Sequence, residues 1–255
     1  MVQYEAVQEI LQSLTADGAV QSVFLKGSMG REEEDEYSDI DLYCLVEEEE
    51  VDAFKERRIQ HLEAYRPLLF WEDLFIIAPQ IIAIYENWLH IDLFVVTHAT
   101  YEPKDNIKVL YDPECQMKRY EDKQSLVLSE EKRSDHALDL SWFLFRYKKA
   151  SERGNDIWAV EMLRHVCRDL SSLLLAKYAP HRAELGLKNI PYDLSEQHVQ
   201  AMTSIYETLT PSRHQEAVQQ LLSIILEEKE WIEDCITTNE KGRALFHSVL
   251  KLYKV

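Results

Sequence analysis

The chain has 255 residues, with 28 Lys and Arg against 46 Asp and Glu, for a formal net charge of −18. A content of 46% hydrophobic and 10% aromatic residues is enough for sizeable cores and excludes disorder as a description of the whole chain. No apolar run approaches the roughly 18 residues of a membrane span, and the acidic balance argues against broad nucleic-acid binding, which depends on phosphate neutralisation by Lys and Arg. Cys44, Cys115, Cys167 and Cys235 lie far apart, with no spacing that suggests zinc or a disulfide framework. The segment Met1–Glu5 lacks the basic and apolar regions of a secretory signal. A cytoplasmic protein with reduced thiols is the expectation.

In chain order, Val7, Ile10, Leu11 and Leu14 fall at helical spacing, and Asp17-Gly18 ends that helix. Val20 to Leu25 reads as a short strand running into the turn residues Gly27-Ser28-Met29-Gly30. Ile40 to Val46 is a second strand, and Val51 to Tyr65 a helix ended by Pro67. Ile76-Ile77, Ile81 to Tyr85 and Leu89 to Val96 are further strand candidates, rich in β-branched residues. Ile107 to Tyr111 is another, ended by Asp112-Pro113.

From about Ser134 the pattern is helical. Ala137, Leu140, Leu144 and Tyr147 form one stripe, widened by Leu138, Trp142 and Phe145. Gly154-Asn155 breaks the chain before a second stripe from Val160 to Leu174, which Pro180 closes. Asp193 with Glu196 predicts a capping-box start, and Thr210-Pro211 predicts another helix with Thr210 as N-cap. The Trp and Tyr of this half, such as Trp142, Tyr147 and Trp158, fall mainly at core positions, and His136 and Arg164-His165 read as ordinary helix residues. The predicted fold class is α+β: a domain over 1–125 with a small mixed sheet and flanking helices, then an α-helical bundle over 126–255. The boundary is placed in the polar stretch Glu121 to Arg133.

The acidity is uneven. Eleven acidic residues and one basic residue lie between Arg31 and Glu50. Glu32-Glu33-Glu34 and Glu47 to Glu50 read as solvated runs. Asp39 and Asp41 differ, because on an extended backbone residues two apart project from one face, while Ile40 and Leu42 point into the core. Two adjacent carboxylates repel unless neutralised, and a divalent cation with hard oxygen ligands does this. Gly27 lets a backbone approach a phosphate closely and Ser28 adds a hydroxyl. A third carboxylate, Asp92, interrupts the apolar strand His90-Ile91-Asp92-Leu93-Phe94, where a charge is expensive unless paired or coordinated. A phosphate cradle beside metal-binding carboxylates is equipment for phosphoryl or nucleotidyl transfer. Arg31 can reach a phosphate or pair with Glu33 or Glu34. Lys26 reads as structural, and His90 as a bystander facing away from Asp92.

Gly27-Ser28, Asp39-Ile40-Asp41 and the strand residue Asp92, in that order, resemble the nucleotidyltransferase superfamily that includes DNA polymerase β. The resemblance covers roughly residues 20–97. It implies that Asp39, Asp41 and Asp92 hold Mg²⁺ and serve catalysis, and that Gly27 and Ser28, with Arg31, bind the phosphates of ATP. Chain length and the helical second half look most like the small-molecule branch, the aminoglycoside and lincosamide adenylyltransferases. The expected reaction is transfer of AMP from ATP to a hydroxyl of a small-molecule acceptor. Asp92 is either the last metal ligand or the base that takes the hydroxyl proton. Two rivals are a protein-adenylylating enzyme of antitoxin type and a catalytically silent nucleotide-binding regulator.

Overall fold

Val7, Ile10 and Leu14 bury one side of α1 (Val2–Thr15), and a turn through Asp17 leads into β1 (Val20–Leu25). In the computed structural model, which describes residues 1–75, 78–237 and 239–254, the chain divides into two compact units, Met1–Ser125 and Leu126–Val255. The first unit continues through α2 (Gly27–Arg31), β2 (Ile40–Val46), α3 (Val51–Leu62), β3 (Leu68–Phe75), β4 (Pro79–Tyr85), β5 (His90–Val96) and β6 (Lys108–Tyr111). The predicted strand at Ile76-Ile77 lies outside the described residues.

The strands form one sheet in the order β3-β4-β5-β2-β1-β6. β2 and β5 are parallel and the other neighbours antiparallel, so the sheet is mixed. Alternation along β2 and β5 sorts their residues between two cores. Ile40, Leu42, Cys44, Ile91, Leu93 and Val95 pack with residues of α1 and α3 on one face. Tyr43, Leu45, Phe94 and Val96 pack on the other face with Phe24, Tyr101 and the 3-10 segment Gln116–Lys123. The rings of Phe24, Tyr43 and Phe94 stack in a row, with centroids 5.3 and 4.3 Å apart. β3 is an edge strand that sequence alone does not reveal. Leu69, Phe70, Trp71 and Phe75 are exposed, so neither face imposes an alternating pattern.

The second unit is helical: α4 (Glu130–Glu152), α5 (Asp156–Tyr178), a 3-10 segment (Pro180–Asn189), α6 (Ile190–Asp193), α7 (Glu196–Thr208), α8 (His214–Glu227), α9 (Lys229–Cys235) and α10 (Glu240–Leu252). The stripe Ala137, Leu140, Leu144 and Tyr147 is buried against α5 residues including Leu163, Cys167 and Leu170. Ser129 and Asn155 cap α4 and α5 by accepting hydrogen bonds from the Lys132 and Trp158 amides.

Three expectations need correction here. Trp142 and Trp158 are each 44% exposed and not core. The cap of α7 is Ser195, which accepts from the His198 amide, and not Asp193. Thr210-Pro211 belongs to a turn and α8 begins at His214, a buried residue held by the Tyr147 hydroxyl at 2.9 Å. That long-range anchor is invisible in a local cap pattern. Among the described residues, no helix is long and apolar enough to cross a membrane.

Candidate active site

The carboxylates lie where β2 and β5 begin. In the parallel register Asp41 pairs with Asp92, between Ile40–Ile91 and Leu42–Leu93. Both aspartates precede by two residues the stacked pair Tyr43–Phe94, so they continue the same face of the sheet beyond its aromatic layer. Here the row of side chains changes from apolar to anionic. Asp92 is largely enclosed, with a side chain 16% exposed, whereas the Asp39 side chain is 50% exposed.

β1 runs antiparallel to β2, and its end delivers Gly27 to these carboxylates. The Lys26 amide donates to the Asp41 carbonyl at 3.0 Å. Gly27 then takes φ +61°, and a Cβ built there would lie 2.1 Å from Asp41 Oδ2. Only glycine satisfies both demands, the left-handed backbone and the contact with the carboxylate. Ser28 follows, partly exposed, and its hydroxyl carries no hydrogen bond among the described residues. Gly30 is equally constrained by the backbone, since a Cβ there would meet the Leu25 and Asn106 carbonyls at 2.8 Å.

His90 corrects the sequence reading. Two residues before Asp92 on a strand, it shares the face of Asp92 and does not oppose it. Its Nε2 is 2.9 Å from Asp92 Oδ1, and its Nδ1 is 3.7 Å from Asp39 Oδ2. The hydrogen bond to Asp92 raises the His90 pKa, burial opposes this, and the fields of Asp92, Asp39 and Asp41 add to the rise. The imidazole thus bridges two of the three carboxylates. The two-residue period was the signal that would have found it.

Arg31 is also engaged. Its guanidinium lies 2.9 Å from Glu33 and 2.6 Å from Asp105, with only 8% of the side chain exposed. Asp105, far along the chain, was not among the expected partners. Lys26 donates to the Glu102 carbonyl and lies over the rings of Tyr43 and Tyr101, at 5.2 and 5.4 Å from their centroids. Burial lowers its ammonium pKa, while the fields of Asp105 and Asp41 offset part of that. A 180 Å³ cavity adjoins these groups, lined by Lys26, Tyr43, Thr100 and Tyr101 among others.

The structure therefore brings Gly27, Asp41 and Asp92 together, with Asp39 linked to Asp92 through His90. Residues 6–95 match the family described as nucleotidyltransferase domain. Over this stretch the chain is similar to that family. The match takes in β1, β2, the glycine turn and most of β5, the elements that carry these residues. No curated protein matches the chain.

Among solved structures, the chain is similar to an aminoglycoside 6-adenyltransferase from Bacillus subtilis, at 15% identity and TM-score 0.43, covering 98% of this chain and 99% of the other. A nucleotidyltransferase-like protein from Exiguobacterium sibiricum is similar at 11% identity and TM-score 0.40, covering 99% and 91%. A cyclic dinucleotide synthase from Elizabethkingia meningoseptica is similar at 10% and TM-score 0.29, covering 98% and 90%. All three likenesses are distant.

Among the described residues, no three His, Cys, Asp or Glu side chains are grouped closely enough to hold a metal ion by themselves. The donor chemistry of the paired carboxylates still suits Mg²⁺. This ion favours hard carboxylate oxygens and is commonly held by one or two carboxylates together with substrate phosphates and water. Asp41 and Asp92, neighbours in register, supply such a pair.

Proposed function

We propose that the protein is a Mg²⁺-dependent adenylyltransferase that moves AMP from ATP to a hydroxyl of a small molecule. Aminoglycosides and lincosamides are the acceptor classes to test first. The observation that carries this reading is the pairing of Asp41 with Asp92 beside a glycine that only a side-chain-free residue can replace.

Asp41 and Asp92, joined by Asp39, would hold the metal. When bound, Mg²⁺ supplies charge stabilisation for the attacking and leaving oxygens of an in-line displacement. Gly27 lets the polyphosphate approach the backbone, and the uncommitted Ser28 hydroxyl donates to a phosphate oxygen. Arg31 reaches a phosphate only by leaving Asp105 or sharing itself between the two. His90 holds Asp92 in place by donating from Nε2, and its Nδ1 faces Asp39 at 3.7 Å. Asp92 either completes the metal site or takes the acceptor's proton.

Pyrophosphate release from Mg·ATP across a panel of hydroxylated antibiotics tests the reading directly. Acceptor-dependent release, lost in Asp41→Asn, is the expected result. Tight Mg·ATP binding with no release for any acceptor would instead favour a nucleotide-binding regulator.

A further inference from the structure

Along the second half of α4, Trp142, Arg146, Lys149 and Arg153 recur at steps of four, three and four residues, which puts them on one stripe of the helix. At 3.6 residues per turn this stripe lies opposite the buried Leu140, Leu144 and Tyr147. A charged stripe of this kind is ordinarily just solvated. Here the chain reverses after Gly154, and the start of α5 sets Asn155 and Trp158 beside the stripe. The result is a concavity of about 250 Å³ lined by Arg146, Lys149, Ala150, Arg153, Asn155 and Trp158.

The charge of this concavity is the reverse of the chain's. Its lining holds three cations and no carboxylate, in a protein with 46 acidic against 28 basic residues. The acids nearest in sequence are engaged elsewhere: Glu152 pairs with Lys148 at 3.1 Å, and Asp156 lies 3.2 Å from His214 Nε2. Among the described residues Arg146, Lys149 and Arg153 have no ion-pair partner. Arg146 lies 5.9 Å from the Trp142 ring and Lys149 5.3 Å from the Phe145 ring. Like charges three and four residues apart on a helix destabilise it, so the trio costs stability until an anion sits among them.

The donor set selects the anion. Arginine forks match phosphate oxygens two at a time, and lysine adds a point charge. A terminal phosphate offers three acceptor oxygens and close to two negative charges, more than one carboxylate supplies to three cations. The half-exposed Trp158 ring walls one side with apolar surface and displaces water there, which strengthens the pairing. The volume falls below the roughly 300–1,000 Å³ of pockets for drug-sized ligands, so a short phosphate chain fits it best.

We propose that this concavity is a binding site for a small oligophosphate, a di- or triphosphate group held by Arg146, Lys149 and Arg153. The site lies wholly within the helical unit and goes beyond the transfer reading; its test contains no nucleotide and no divalent cation, so a failure of either leaves the other standing.

Calorimetry on the full chain with inorganic tripolyphosphate, in metal-free buffer at fixed ionic strength, tests the proposal. Citrate is the control, a multivalent anion with carboxylates only. Tripolyphosphate is expected to bind at least about tenfold more tightly than citrate, and Arg153→Gln to weaken it about tenfold, the scale of one hydrogen bond between charged groups. The triple variant Arg146→Gln, Lys149→Gln, Arg153→Gln is expected to abolish binding and to keep its thermal midpoint, because it removes like charges from the solvent face of α4. If the triple variant fails to fold, Arg153→Gln and Lys149→Gln carry the test. No binding of tripolyphosphate, equal binding of citrate, or unchanged binding in the variants would each overturn the proposal. Binding of a single-stranded oligonucleotide where tripolyphosphate does not bind would also overturn it, in favour of a nucleic-acid surface.

Discussion

Asp41 and Asp92 occupy facing positions on parallel neighbouring strands, and the sheet leaves no choice about their meeting. Like charges side by side destabilise one another, so something must offset them. In the structure part of that role falls to His90, hydrogen-bonded to Asp92 and close to Asp39. On the proposed reading a cation shares it when nucleotide arrives.

Asp92→Asn keeps shape and removes charge. Turnover is expected to fall by about 10²–10⁴-fold if Asp92 serves as base, the range credited to general acid–base catalysis. The Mg²⁺ concentration for half-activity separates the roles, rising for a lost ligand and staying put for a lost base. Full turnover with a lowered melting temperature would reduce Asp92 to a structural partner of His90.

Gly27→Ala combines a left-handed backbone with a methyl group driven against Asp41. Strain of that kind costs on the order of 1–3 kcal/mol, and the displaced carboxylate leaves its place opposite Asp92. Nucleotide binding measured by calorimetry is expected to collapse. Ser28→Ala removes one hydrogen bond to a charged phosphate, about 1.5–3 kcal/mol, and should weaken binding without affecting stability. Wild-type affinity in both variants would dismiss the phosphate cradle.

Mg·ATP is expected to bind better than ATP alone. The run from Glu32 to Glu50 repels a bare polyphosphate, and each phosphate charge that Mg²⁺ neutralises lowers the repulsion. Titrations with and without Mg²⁺ at fixed ionic strength measure the difference. Equal affinities would count against a carboxylate-held metal.

Asp17 predicts a pH dependence of stability away from the site. Its carboxylate receives Arg57 at 2.7 and 3.1 Å, the Ala19 amide at 3.0 Å, and lies 3.1 Å from His61 Nε2. The Arg57 hydrogen bond, with smaller help from the others, lowers its pKa to about 2. A depressed carboxylate stabilises the fold above its unfolded pKa and loses that contribution as pH falls through the folded value. Asp17→Asn is expected to lower stability by about 1 kcal/mol at pH 7, allowing for solvent screening. The gap between variant and wild type should close between pH 4 and pH 2 in denaturant titrations. A gap that does not change with pH would show that the ion pair carries none of the stability.

Residue order alone determined much of this protein. In Ile40–Val46 and His90–Val96 one face is buried along its whole length and the other only beyond the aspartates, so the polar residues Asp41, His90 and Asp92 stand out of phase with the aliphatic core. The stripes of α4 and α5 are legible for the same reason, since each presents an apolar face to one core. Only the tertiary structure decided which strands pair and in what register, because those hydrogen bonds join segments distant in the chain. It also decided that Arg31 meets Asp105 and that Leu68–Phe75 forms an edge strand. The first is a contact between the end of α2 and a remote loop, and the second is a strand exposed on both faces, for which burial writes no pattern into the sequence.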